Sequence, residues 1–71
     1  MAAIFDLFRS GYLLGQQHGQ AAERRRAVWE LQLTHARLWL PGVDNKSFFL
    51  GYHAGYEDAM RLRSTLNQLL R

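Results

Sequence analysis

The sequence predicts an all-α fold: an αα-hairpin with a long first helix, two copies of which dimerise into a four-helix bundle. Apolar and small residues recur at spacings of three and four through both halves of the chain. One cluster of breakers, Pro41-Gly42-Val43-Asp44-Asn45, falls between those halves. A 48% hydrophobic content excludes a disordered tail, while 71 residues allow one small domain whose core needs help from self-association.

The first stripe runs Phe5, Phe8, Tyr12, Gly15, Gly19, Ala22, Arg26, Trp29, Leu33, Ala36 and Leu40, which places helix 1 over about 3–40. The turn covers 41–45. The second stripe is Phe48, Tyr52, Gly55, Ala59, Leu62, Leu66 and Leu69, so helix 2 spans about 46–70, with Asp44 or Asn45 able to cap its start. A kink in helix 1 between Gly11 and Gly19, giving three helices, is the alternative layout.

Gly11, Gly15 and Gly19 lie four apart, as do Gly51 and Gly55. Each glycine inside a helix costs ~0.8–1.0 kcal/mol relative to Ala, so a close-packed neighbour must offset it. In an antiparallel hairpin centred on Val43, Gly15 and Gly19 face Leu66 to Leu70, and Gly51 and Gly55 face Trp29 to Leu33. Helix 2 is then too short to cover Ile4, Phe5, Leu7, Phe8 and Tyr12. This overhang would pack on a second copy, making Phe5, Phe8, Gly11, Tyr12, Gly15, Gly19, Gly51 and Gly55 the helix-packing and dimer residues.

Chemistry is sparse. The absence of Cys removes disulfides and thiolate metal sites. His18, His35 and His53 are scattered without a metal-ligand spacing, and no Ser or Thr stands beside a histidine in the pattern of an activated nucleophile. Neither catalysis nor a cofactor or metal is expected. No stretch reads as a secretory signal or a membrane span, so the protein is expected to be cytoplasmic.

The formal charge is +3, and the basic residues are all Arg except Lys46. Arg24-Arg25-Arg26 is the densest cluster, and Arg26 falls on the stripe beside Trp29. Trp29, Phe48 and Tyr52 are expected in the core, whereas Trp39, Phe49 and Tyr56 either widen it or stand exposed. Arginine and aromatic residues dominate binding hot spots, which makes Arg24, Arg25, Arg26, Trp29, Arg37, Trp39 and Tyr56 the candidate partner-binding set.

The two halves also echo each other at an offset of forty, since Phe8 to Gly15 and Phe48 to Gly55 share F-x-x-G-Y-x-x-G. Gly11-Tyr12-Leu13-Leu14-Gly15 and Phe49-Leu50-Gly51-Tyr52-His53-Ala54-Gly55-Tyr56-Glu57-Asp58-Ala59 resemble the two signature stretches of the ribosome modulation factor family. That resemblance implies a two-helix protein that binds ribosomes or RNA. This chain departs from the family in its aromatic-rich, weakly basic start and its longer spacer. In general character it is also similar to small helical antiactivators of bacteria or phages. The leading expectation is a non-catalytic helical dimer that inhibits or modulates a larger protein, such as a transcriptional regulator. The alternative is a ribosome- or RNA-binding modulator.

Overall fold

The computed structural model describes residues 4–35 and 45–70, with side chains from Leu7 onward. Its elements are α1 (Ile4–Gln20), α2 (Val28–Thr34) and α3 (Asn45–Leu69). The predicted turn at 41–44, the end of the long first helix at 36–40, Arg37, Trp39 and the side chain of Phe5 lie outside the described residues.

The continuous helix over 3–40 is overturned; the three helices of the alternative layout are present, but the break does not fall within Gly11 to Gly19. All three glycines are inside α1, and the break follows them. The Glu23 N–H donates to the His18 carbonyl at 2.9 Å and the Ala22 N–H to the Gly19 carbonyl at 3.2 Å, while Ala22 adopts a φ of 58°. These are the paired bonds of a Schellman stop, with alanine in the left-handed position that glycine normally fills. Left-handed backbone costs an L-residue ~1–2 kcal/mol, partly recovered by alanine's smaller unfolded-state entropy. Ala22→Gly therefore raises stability by roughly 0.5–1 kcal/mol, measured as an upward shift of the thermal midpoint.

A short α2 then follows its N-cap residue Ala27, whose side chain has no acceptor to offer. The Glu30 carboxylate supplies the return half of a capping box by accepting the Ala27 N–H at 2.9 Å. Arg26, expected on a helical stripe, instead lies in the extended stretch between α1 and α2, and Trp29, expected in the core, is 63% exposed. A periodic count carried through Ala21 to Ala27 presumes a helix that the Schellman stop ends.

The larger correction concerns direction: α1 and α3 pack parallel. A Cβ at Gly11 would fall on the Phe48 carbonyl oxygen and 3.0 Å from the Tyr52 nitrogen. Reciprocally, a Cβ at Gly51 would fall on the Phe8 carbonyl oxygen and 3.0 Å from the Tyr12 nitrogen. One turn on, Gly15 meets the backbone of Tyr52 and Tyr56, and Gly55 that of Tyr12 and Gln16. At the end of α1, Gly19 meets Ala59, its counterpart forty residues later. The echo is thus a pseudo-two-fold axis: each helix sets its glycines against the carbonyls of the other. Gly15 and Gly19 do not face Leu66 to Leu70, nor Gly51 and Gly55 Trp29 to Leu33.

Parallel helices need a return path, and the middle of the chain provides it. The Tyr56 hydroxyl bonds the Glu23 carbonyl, the Tyr52 hydroxyl bonds the Arg26 amide, and the His35 ring lies 5.6 Å from that of Phe48. Residues 23 to 35 therefore descend alongside α3 toward its start. Leu31 enters the core with Phe48 and Tyr52, and Leu14 and Phe49 pack around them.

The uncovered end is consequently the opposite one. Phe8 and Tyr12 lie against α3 rather than projecting past it. At the offset of forty, Gln20 closes α1 opposite Met60, and α3 continues alone to Leu69.

Candidate interaction surfaces

The polar centre is built around Tyr52, whose residue surface is only 1% exposed. Its hydroxyl accepts the Arg26 N–H at 2.8 Å and lies 2.7 Å from His18 Nδ1. An amide can only donate, so the hydroxyl's own proton is free to serve His18 Nδ1, an arrangement that suits a ring carrying its proton on Nε2. Burial, then the Arg26 charge, lowers the His18 pKa from its ordinary 6.5, with Glu23 opposing and His35 reinforcing. Burial likewise raises that of Tyr52. The pseudo-axis has its second polar contact here: Tyr12 donates to Asp58 Oδ2 at 2.8 Å, and Asp58 stands forty residues after His18. That bond raises the Tyr12 pKa.

Two of the three clustered arginines are occupied in holding the return strand. Arg24 makes a bidentate pair with Glu30, both bonds 2.7 Å, and Arg26 pairs with Glu23 at 2.7 Å. Arg25 lies 5.3 Å over the Tyr56 ring and donates to His53 Nδ1 at 2.9 Å. Tyr56 stacks at 26° on Tyr52, so its ring is a buttress rather than an open platform. The Arg24 bond, then the Ala27 amide, holds the Glu30 carboxyl at about 2 against an ordinary 4.5. A lowered carboxyl pKa stabilises the fold above the unfolded value and loses that contribution as pH falls toward about 2. Acidification through that window should free the Ala27 amide first, seen as faster hydrogen exchange there while α1 and α3 stay protected.

Between α1 and α2 lies a cleft of about 260 Å³, floored by Leu14 and Leu31 and rimmed by His18, Arg26, Thr34 and His35. The Thr34 hydroxyl donates to the Glu30 carbonyl at 3.1 Å, as a helix-surface threonine does. Among the described residues no group of three His, Cys, Asp or Glu is placed to hold a metal ion, and no helix is long and apolar enough to cross a membrane.

Among the described residues, exposed apolar side chains line up at helical spacing on α2 and at the end of α3. On α2, Trp29 and Leu33 stand one turn apart at 63% and 74% exposure, while Leu31 between them is buried. On α3, Leu62, Leu66 and Leu69 continue the core stripe into solvent. Of the candidate binding residues, Arg24, Arg25, Arg26 and Tyr56 are thus brought together on one side, with Trp29 on the outer face of α2. Glu30 and His18 belong to this region without being marked by charge clustering or by the hot-spot composition, Glu23 is marked only as the acidic neighbour of the arginines, and Tyr52 only as a core residue. Extending the echo to His18 and Asp58 is the one sequence signal that finds part of it, since it gives two tyrosines matched partners. No family model matches the chain, and no curated protein or solved structure is detectably similar to it.

Proposed function

We propose that the chain is a non-catalytic, homodimeric helical regulator that binds a larger bacterial protein and modulates it by occupying its surface, in the manner of an antiactivator of a transcriptional regulator. The observation that carries this reading is the Trp29–Leu33 face. Leu31 anchors the inner side of α2 and the Arg24–Glu30 pair fixes its start, so the helix turn that presents the two exposed side chains is in place before any partner arrives. An exposed tryptophan with an aliphatic neighbour one turn away on an anchored helix has the composition of a binding hot spot.

Captured from a bacterial lysate, the intact chain should retain a protein through nuclease treatment and moderate salt, and Trp29→Ala with Leu33→Ala should release it. Retention of RNA or ribosomes alone, or retention indifferent to both substitutions, would overturn the reading.

A ribosome- or RNA-binding modulator, as the glycine-tyrosine stretches suggest, is the second reading. It is favoured by Arg25, which rests on an aromatic ring and a histidine instead of a carboxylate. Removing one phosphate-binding charge lowers the salt dependence of binding by about one unit, so Arg25→Ala should flatten that dependence.

A further inference from the structure

The cleft between α1 and α2 presents more hydrogen-bond donors than acceptors over an apolar floor. Its volume is about 260 Å³, and the floor is Leu14 with Leu31. Above them stand His18 from α1, Arg26 from the extended segment, and Glu30, Thr34 and His35 from α2 and its end. The one carboxylate in this lining is spent. Glu30 Oε1 accepts from Arg24 and from the Ala27 amide, and Oε2 accepts from Arg24 again. His18 turns Nδ1 to the Tyr52 hydroxyl, so its remaining ring edge is Nε2, an N–H in the tautomer which that bond suits. Arg26 gives one N–H to the Arg24 carbonyl and one to Glu23, out of the five that a guanidinium carries. His35 adds a second imidazole, and Thr34 Oγ, its proton given to the Glu30 carbonyl, remains as an acceptor at the outer rim.

We propose that this cleft binds a small organic carboxylate, its two oxygens between Arg26 and His18 Nε2 and its apolar body on Leu14 and Leu31. A planar carboxylate accepts several N–H donors at once, and hydrogen bonds from guanidinium to carboxylate are among the strong ones. A cationic ligand would face Arg26 and find both carboxylates of the region, Glu23 and Glu30, already paired. Inorganic phosphate would leave the two leucines unused. The cleft falls below the ~300 Å³ at which ordinary ligand sites begin, so the apolar body is one ring or a short branched chain. Bound there, the acid touches α1, the extended segment and α2 at once and ties the return path to the helix pair. The site is on the inner side of α2, apart from Trp29 and Leu33, and stands independently of what that face binds.

Benzoate is the probe. Titrated into the full chain at neutral pH to millimolar concentrations, it should move the NMR resonances of the Leu14 and Leu31 methyls and of the His18 ring along saturating curves. The His53 ring, outside the cleft, should stay in place. Benzyl alcohol keeps the ring without the carboxylate, and inorganic phosphate keeps the charge without the ring; each should bind about tenfold more weakly or worse. Arg26→Gln should weaken benzoate by about tenfold or more while the helical circular dichroism is kept. Thr34→Phe, at the exposed rim, fills the mouth of the cleft without touching Arg26 and should abolish binding even if the arginine variant fails to fold. Unmoved cleft resonances, benzyl alcohol or phosphate binding as well as benzoate, or benzoate binding unchanged in either folded variant would each overturn the proposal.

Discussion

Gly51→Ala is expected to lower the stability of the protein by about 2 kcal/mol, although the same change would stabilise an isolated helix. The propensity gain is ~0.8–1.0 kcal/mol. Against it stands overpacking, ordinarily ~1–3 kcal/mol and more where nothing can move aside. At Gly51 the obstacle is the Phe8 carbonyl, and a backbone group has no alternative rotamer. For a domain of this size the loss corresponds to a fall of roughly 8–16 °C in the thermal midpoint. Gly11→Ala should cost as much, because the pseudo-axis gives it the mirror contact on Phe48. The double variant should cost less than the sum, since one separation of the helices relieves both clashes. Gly15→Leu, facing the Tyr52 backbone, should prevent folding. An unchanged midpoint for Gly51→Ala would mean that the helices do not meet through their glycines.

The second large effect is at Tyr52. Tyr52→Phe keeps the ring stacking but orphans the Arg26 amide and the His18 Nδ1, and unsatisfied buried polar groups cost ~1–3 kcal/mol. Tyr12→Phe removes the pseudo-symmetric hydroxyl at an exposed bond, where Asp58 can turn to water, and should cost less than half as much. Thermal midpoints of the two variants separate the polar centre from the pseudo-symmetry that places it.

His18, the partner of the Tyr52 hydroxyl, makes the fold acid-sensitive as well. A histidine whose folded pKa lies below 6.5 binds fewer protons in the native than in the unfolded state just under that value. Its contribution is present above about 6.5 and is lost as pH falls through the lower folded value. Protonated His18 would offer a second donor to the Tyr52 hydroxyl, which already accepts the Arg26 N–H, and would leave the hydroxyl proton without its acceptor. Titration of the His18 ring resonances by NMR should show a midpoint below 6.5, as burial and the Arg26 charge dictate.

The helical nature of both halves, the glycine faces and the stripe from Phe48 to Leu69 are all legible in the residue spacings, because periodicity depends on local geometry alone. The end of α1 is not. Its Schellman stop puts Ala22 at φ 58° without the glycine that would have announced it. A stripe counted through Arg26 and Trp29 therefore continues a helix that the chain has already left.

The candidate surfaces divide in the same way. Arginines and aromatics can be named from the sequence. That Arg24 and Arg26 are bound to Glu30 and Glu23 while Trp29 faces outward depends on the return strand's path.

Direction, finally, is a matter of residues distant along the chain. A stripe of small residues reads identically for a helix that meets its neighbour head to head or head to tail. The forty-residue echo fits either arrangement too, since a two-fold axis can lie along a pair of helices or across it. Only the docking of each glycine onto the other helix's carbonyls, with residues 21 to 35 leading back along α3, selects the parallel pair and leaves the leucines at the end of α3 exposed.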